Sequence, residues 1–160
     1  MIFIQIIAIG KIKEKYLVEG LAEYQKRLTK FTHLEIIELP DERIPDNPSP
    51  AEKEKILATE GEKILSKISQ GSSVITLEIE GEPMSSLELA AFIEKIGTYQ
   101  TSKIVFIIGG SLGLSKSVKQ ISQKALSFSQ MTFPHQLMRL VLLEQIYRSF
   151  MILSNNAYHK

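Results

Sequence analysis

Residues 2–9, IFIQIIAI, form an almost unbroken apolar run, and IVFII at 104–108 repeats the character. A strand wetted on one face alternates apolar and polar residues, so runs this continuous belong to strands buried on both faces. A chain with two of them must cover its sheet with helices above and below. That requirement points to an α/β fold with a mostly parallel sheet and helices on both faces.

Between the runs the period of the pattern changes. From Glu14, the residues Leu17, Leu21, Tyr24, Leu28 and Phe31 recur at steps of three and four among Lys, Arg and Glu, which predicts an amphipathic helix. LEIIEL at 34–39 reads as a second strand. The segment at 40–50, with four prolines, can be neither helix nor strand and is expected to be a surface loop. Ser49 as N-cap and Pro50 at the first helical position open a helix to about Ile68. SVITLEI at 73–79 is a third strand, and Ser85 with Glu88 is a capping box opening a helix through about Ile96. A fourth strand at 104–108, a short helix capped by Ser115, a short strand at 126–129 and a long helix at 136–153 complete the alternation. No repeat or linker interrupts it, and 160 residues with 44% hydrophobic content suit one domain, residues 1–160.

Several function classes are excluded early. Without cysteine the chain has no disulfide framework, thiolate metal site or cysteine nucleophile. Its apolar runs fall far short of the ~20 residues of a membrane span. The positive charges at the N-terminus follow the apolar run and no small-residue cleavage site appears, unlike a signal peptide, so a cytoplasmic location is expected. A net charge of +1 gives no global attraction to nucleic acid, so such a partner needs a local patch. Lys11, Lys13 and Lys15, with Lys26, Arg27 and Lys30, are its candidates, or else an ordinary solvated helix face.

The fourth strand runs into glycines at 109, 110 and 113. In open α/β sheets ligands bind beyond the carboxyl ends of strands, where this loop must lie. The spacing meets neither the dinucleotide fingerprint nor the P-loop, so a phosphate ligand is disfavoured; a simple tight turn remains the alternative. On the last helix Glu144, Gln145, Arg148 and Ser149 form one polar stripe. Arg139 lies nearly opposite, with His135 one turn earlier on the same side. A cation on an apolar side calls for a ligand, a carboxylate or a subunit boundary, and a buried ion pair would also satisfy it. The rest of that helix is apolar round most of its circumference, as in a central or interface helix. The tail carries Tyr158 and His159, which by position alone read as a frayed end.

Together GKIKEKY (10–16), TLEIEG (76–81), FIIGGSLGL (106–114), LSFSQMTFPHQLMRLVLLEQIYR (126–148) and the terminal AYHK resemble the bacterial ribosomal large subunit methyltransferase H family. The likeness spans essentially the whole chain. It implies a SPOUT-class fold with a deep trefoil knot in the C-terminal part, a homodimer, and S-adenosylmethionine as cofactor. The implied reaction is methylation of N3 of a pseudouridine in helix 69 of 23S rRNA. It further implies a cofactor pocket made by Leu77, by Gly109 and Gly110, and by Phe128, Ser129, Gln130, Met131, Thr132 and Phe133. No metal and no membrane are implied. Leu112 departs from the polar residue expected in many relatives, which is expected to alter the loop's outer contacts more than the pocket.

The chemistry suits these residues. A methyl donor with a built-in leaving group asks mainly for in-line positioning. The weakly acidic N3 proton asks for a base or a stabilising cation. His135 and Arg139 are the expected groups facing the acceptor, completed by Tyr158 and His159 from a partner's tail. The weak net charge favours assembled ribosomes over naked rRNA as substrate. An α/β enzyme for another nucleotide and a non-catalytic ribosome-binding module are the rival readings.

Overall fold

A computed structural model describes residues 1–160. The order is β1 (Ile2–Ile9), α1 (Lys15–Leu28), β2 (Thr32–Leu39), α2 (Pro50–Lys67), β3 (Ser73–Pro83), α3 (Ser86–Tyr99), β4 (Lys103–Ile108), α4 (Lys116–Gln120), β5 (Lys124–Ser127) and α5 (His135–Leu153). One five-stranded sheet in the order β2-β1-β4-β3-β5 carries them, and every pairing is parallel.

Both faces of the sheet are covered, and the alternation of side chains along each strand decides which face each residue serves. Ile4, Ile6 and Ala8 of β1 with Ile104, Phe106 and Ile108 of β4 meet Leu17 and Leu21 of α1, Ile93 of α3 and Ile146 of α5. Ile7 and Ile9 with Val105 and Ile107 meet Ile64 of α2 and Val118 of α4 on the other side. The continuous apolar runs are thereby explained, since consecutive residues enter two different cores. Gln5 is the polar exception in β1. It is 2% exposed, and its amide donates to the Lys67 carbonyl while accepting from Ser69 N–H, which satisfies it.

The helix starts follow their local chemistry. Ser49 and Ser85 each accept from the N–H three residues on, and Glu52 and Glu88 close the capping boxes. Glu88 is held below the usual carboxylate range by its bonds to Ser85. Several boundaries differ from the sequence reading. Helix α1 ends at Leu28, so Phe31 lies in the turn after it, stacked on Phe150 with ring centroids 5.8 Å apart. Strand β3 runs on to Pro83 through an irregularity between Leu77 and Glu82. Strand β5 starts earlier, at Lys124, and ends at Ser127, because its backbone pairs with β3 only over that stretch. Phe128 and Ser129 are thus released from the sheet. No helix is long and apolar enough to cross a membrane.

Candidate active site

Parallel strands place all their carboxyl ends on one edge, and there β3, β4 and β5 surround a cavity of about 510 Å³. That volume lies within the ~300–1,000 Å³ of small-molecule sites. One wall is Leu77 and the outgoing β3 segment. The second is the glycine loop after β4. The third is the segment after β5, including Phe128, Ser129, Met131, Thr132 and Phe133, with His135 and Met138 closing the floor. Gln130 does not line it.

The glycine loop is fixed by its own packing. Gly113 sits in the left-handed region at φ 89°, and its N–H donates to the Gly110 carbonyl at 3.0 Å. A Cβ on Gly109 would lie 2.8 Å from the Gly113 carbonyl carbon, and one on Gly110 would lie 3.2 Å from Ile9 Cγ2. Backbone cannot yield as a side chain can, so position 109 admits only glycine. Glu60 of α2 stands behind the loop, 4% exposed, and accepts the Glu42 N–H at 3.1 Å. Burial pushes its carboxyl above the usual range, with Asp41 and Glu42 adding to the effect and the Glu42 N–H opposing it. Leu112 lines the cavity, half-buried, which corrects the expectation that it would act mainly on outer contacts.

Three charged residues absent from the sequence reading also reach the cavity: Glu78, Glu80 and Lys119. Thr76 Oγ1 donates to Glu78 Oε2 at 2.6 Å, and Lys119 Nζ lies 3.6 Å from Glu78 Oε1. Leu77 and Glu78 are neighbours in a strand and should point to opposite faces. The β3 irregularity is what lets both line one cavity. Glu78 lies within the predicted third strand and Glu80 just beyond it, and no periodic pattern in the sequence marks either.

The proposed catalytic residues separate into three places. His135 lines the cavity. Arg139 does not; it is 1% exposed and forms the buried ion pair that had been its alternative. Its Nη1 donates to Glu38 Oε2 at 2.6 Å and its Nη2 to the Gly10 carbonyl at 2.9 Å, while Nε has no partner. Burial pulls its pKa below the ordinary guanidinium value, and Glu38 pulls the other way. Tyr158 and His159 are elsewhere again. Tyr158 donates to Glu144 Oε2 at 3.1 Å, and His159 Nδ1 meets Arg148 Nη1 at 3.0 Å. Desolvation, with Tyr24 and Glu144 adding to it, pushes the Tyr158 hydroxyl up to about 12. The chain's own tail therefore rests on the polar stripe of α5 and lines none of its own cavity.

A second, smaller cavity of about 230 Å³ touches the first at His135. It is lined by Gly10, Lys11, Lys13, Glu14, Asp41, His135 and Gln136, with no apolar residue among them. No group of three or more His, Asp or Glu is placed to hold a metal ion.

Comparison with known proteins agrees with this architecture. A family model described as predicted SPOUT methyltransferase matches residues 2–159. The chain is 55% identical over 157 residues to the ribosomal RNA large subunit methyltransferase H of Carboxydothermus hydrogenoformans, covering 98% of this chain and 99% of that one. It is 56% identical, at the same coverage of both chains, to the proteins so named from Bacillus thuringiensis and Lactococcus lactis. A match of this length and identity covers every wall of the cavity and the tail, and on it the chain belongs to the SPOUT methyltransferases, with the ribosomal RNA large subunit methyltransferase H proteins as its relatives.

Proposed function

We propose that the chain transfers a methyl group from S-adenosylmethionine to N3 of a pseudouridine in helix 69 of 23S rRNA, working in the cytoplasm as a knotted homodimer on assembled ribosomes. The observation carrying this reading is the convergence of Leu77, Gly109–Gly110 and the 128–133 segment around one cavity at the carboxyl edge of the sheet.

The residues present fit the cofactor. Leu77 and Phe128 offer apolar surface for an adenine, and the glycine loop offers close backbone approach to parts of a ligand that carry no phosphate. Glu78 and Glu80 offer carboxylates, and Lys119 an ammonium, to a ligand that itself carries both signs. The bound cofactor supplies an activated methyl group on a sulfonium. Everything else falls to the protein, which must exclude water and hold the acceptor nitrogen in line. His135, at the junction of the two cavities, is placed to hold or accept the N3 proton. Arg139 acts through others: by gripping Gly10 and Glu38 it fixes the turn that His135 packs against, where a Cβ on Gly10 would lie 3.5 Å from His135 Nε2.

Tyr158 and His159 belong to this reading as groups delivered to the cavity of a second copy. Supporting this is their position on their own chain, where they contact Glu144 and Arg148 and not the cavity. Deleting residues 158–160 is expected to abolish transfer to bacterial ribosomes while calorimetry finds S-adenosylmethionine affinity within about twofold. Mixing that chain with a Gly109→Val chain, which keeps the tail but loses the cavity, restores transfer if the tail acts in trans. Full activity of the truncated chain alone would sink the assignment. Mapping the methylated nucleotide tests the acceptor, and equal rates on ribosomes and naked 23S rRNA would refute the docking element.

A further inference from the structure

The smaller cavity is accounted for by neither the cofactor nor the tail. Its volume is below that of a whole small-molecule site, so it suits part of a chain running past it. Its lining is wholly polar. Lys11 and Lys13 are exposed and make no ion pair, whereas Lys15, at the start of α1, pairs with Glu19.

The turn that bears the two lysines is held rigidly. Gly10 adopts φ 95°; its N–H donates to the Leu39 carbonyl at 2.7 Å, and its carbonyl accepts from Arg139. Two residues on, Ile12 N–H donates to the same Glu38 carboxylate that holds Arg139, at 3.1 Å, and the Ile12 side chain is buried between its two lysine neighbours. Lys11 and Lys13 therefore project from a fixed backbone beside His135. The six candidate cations do not form one patch, because α1 divides them. Lys26 and Lys30 lie at its far end, about 20 Å away at 1.5 Å per residue.

We infer that this cavity is an RNA-backbone subsite, in which Lys11 and Lys13 take a phosphate next to the acceptor nucleotide and Asp41 and Glu14 accept from a ribose hydroxyl. The inference rests on the proposed rRNA substrate and deepens it. The mixed charge is what separates it from a plain anion site: the lysines serve the phosphate, and the exposed carboxylates are free to accept from a donor, which the ribose 2′-hydroxyl of RNA supplies and DNA lacks. Shared use of His135 puts that sugar–phosphate directly against the methyl-transfer cavity. A near-neutral enzyme thus gains its phosphate contacts locally.

The test is the salt dependence of binding to bacterial ribosomes, measured without methyl transfer. Each lost phosphate contact lowers the slope of log K against log salt by about 0.7–0.9. The Lys11→Ala/Lys13→Ala chain, losing that one phosphate contact, is expected to lower it by about 0.7–0.9 and to raise Kd for ribosomes about tenfold, with S-adenosylmethionine affinity kept. Lys11→Arg/Lys13→Arg is expected to retain the slope. An unchanged slope in the alanine chain, an equal loss in the arginine chain, or an equal loss in Lys26→Ala/Lys30→Ala would each overturn the subsite. Because the readout is binding, a native chain that binds ribosomes but transfers no methyl group would defeat the proposed reaction and leave this inference to be judged on its slope.

Discussion

Helix α5 carries two arginines nine residues apart, Arg139 and Arg148, and they live in different solvents. Arg139 is 1% exposed and joins three separate pieces of chain: α5, the end of β2 through Glu38, and the turn after β1 through Gly10. Arg148, with a side chain 25% exposed, bonds Glu144 one turn away and His159 in the tail, and stacks over the Tyr158 ring at 4.8 Å. Burial lowers the pKa of the first, and the bond to Glu144 raises that of the second. One is locked because water cannot replace its partners; the other is adjustable because water competes for every bond it makes. The difference teaches where this molecule keeps its shape and where it keeps its freedom. The fixed end of α5 supports both cavities, and the free end holds a tail that the proposed function needs elsewhere.

The comparison breaks most readily at Glu38. Glu38→Ala leaves the Arg139 guanidinium buried without its carboxylate, and we expect a loss of about 3 kcal/mol in urea denaturation, the low end for a broken buried pair because Glu38 is itself 39% exposed. A loss under about 1 kcal/mol would mean that water reaches Arg139 and that the two arginines are alike after all. At the other end, Arg148→Ala should cost no more than about 1 kcal/mol, as partly exposed pairs do. Its visible effect should be local, a tail beyond Ser154 cleaved faster by protease with the core unaffected. Global destabilisation as large as that of Glu38→Ala would erase the distinction.

The smallest effect is a titration. Tyr158 has its folded pKa raised to about 12 from 10.0, so the docked tail keeps a proton that the free tail releases. The contribution to docking is complete below pH 10 and is lost as pH rises through about 12. Ultraviolet titration of the native chain should show one late-ionising tyrosine that Tyr158→Phe removes. An unshifted titration in the native chain would mean the tail is not held against Glu144 in solution.

Much of the scaffold was legible because each element satisfies its own local chemistry. The continuous run of β1, the capping boxes at Ser49 and Ser85 and the glycine after β4 all announce themselves within a few residues. Leu77, Gly109–Gly110 and Phe128–Phe133 were implied by resemblance as cofactor contacts, and all of them but Gln130 line one cavity. Glu78 and Glu80 stayed hidden because an irregular strand, not a periodic one, turns them inwards, and Lys119 because it reaches the cavity from α4, a separate element. The second cavity was hidden for another reason: its residues come from the turn after β1, the loop after β2 and the start of α5, three stretches that no local pattern connects.

The sequence by itself determined the alternation of strands and helices and the burial of the sheet on both faces, since periods of two and of 3.6 are written in neighbouring residues. It could not determine what satisfies Arg139. A ligand, a subunit boundary and a carboxylate all meet the need of a cation on an apolar helix face, and the helix reads the same for each. Tertiary structure decided it by bringing Glu38 and Gly10, 101 and 129 residues away in the chain, within hydrogen-bond distance. The order β2-β1-β4-β3-β5 is what makes them neighbours, and strand order is a property of packing between distant segments that local patterns do not encode.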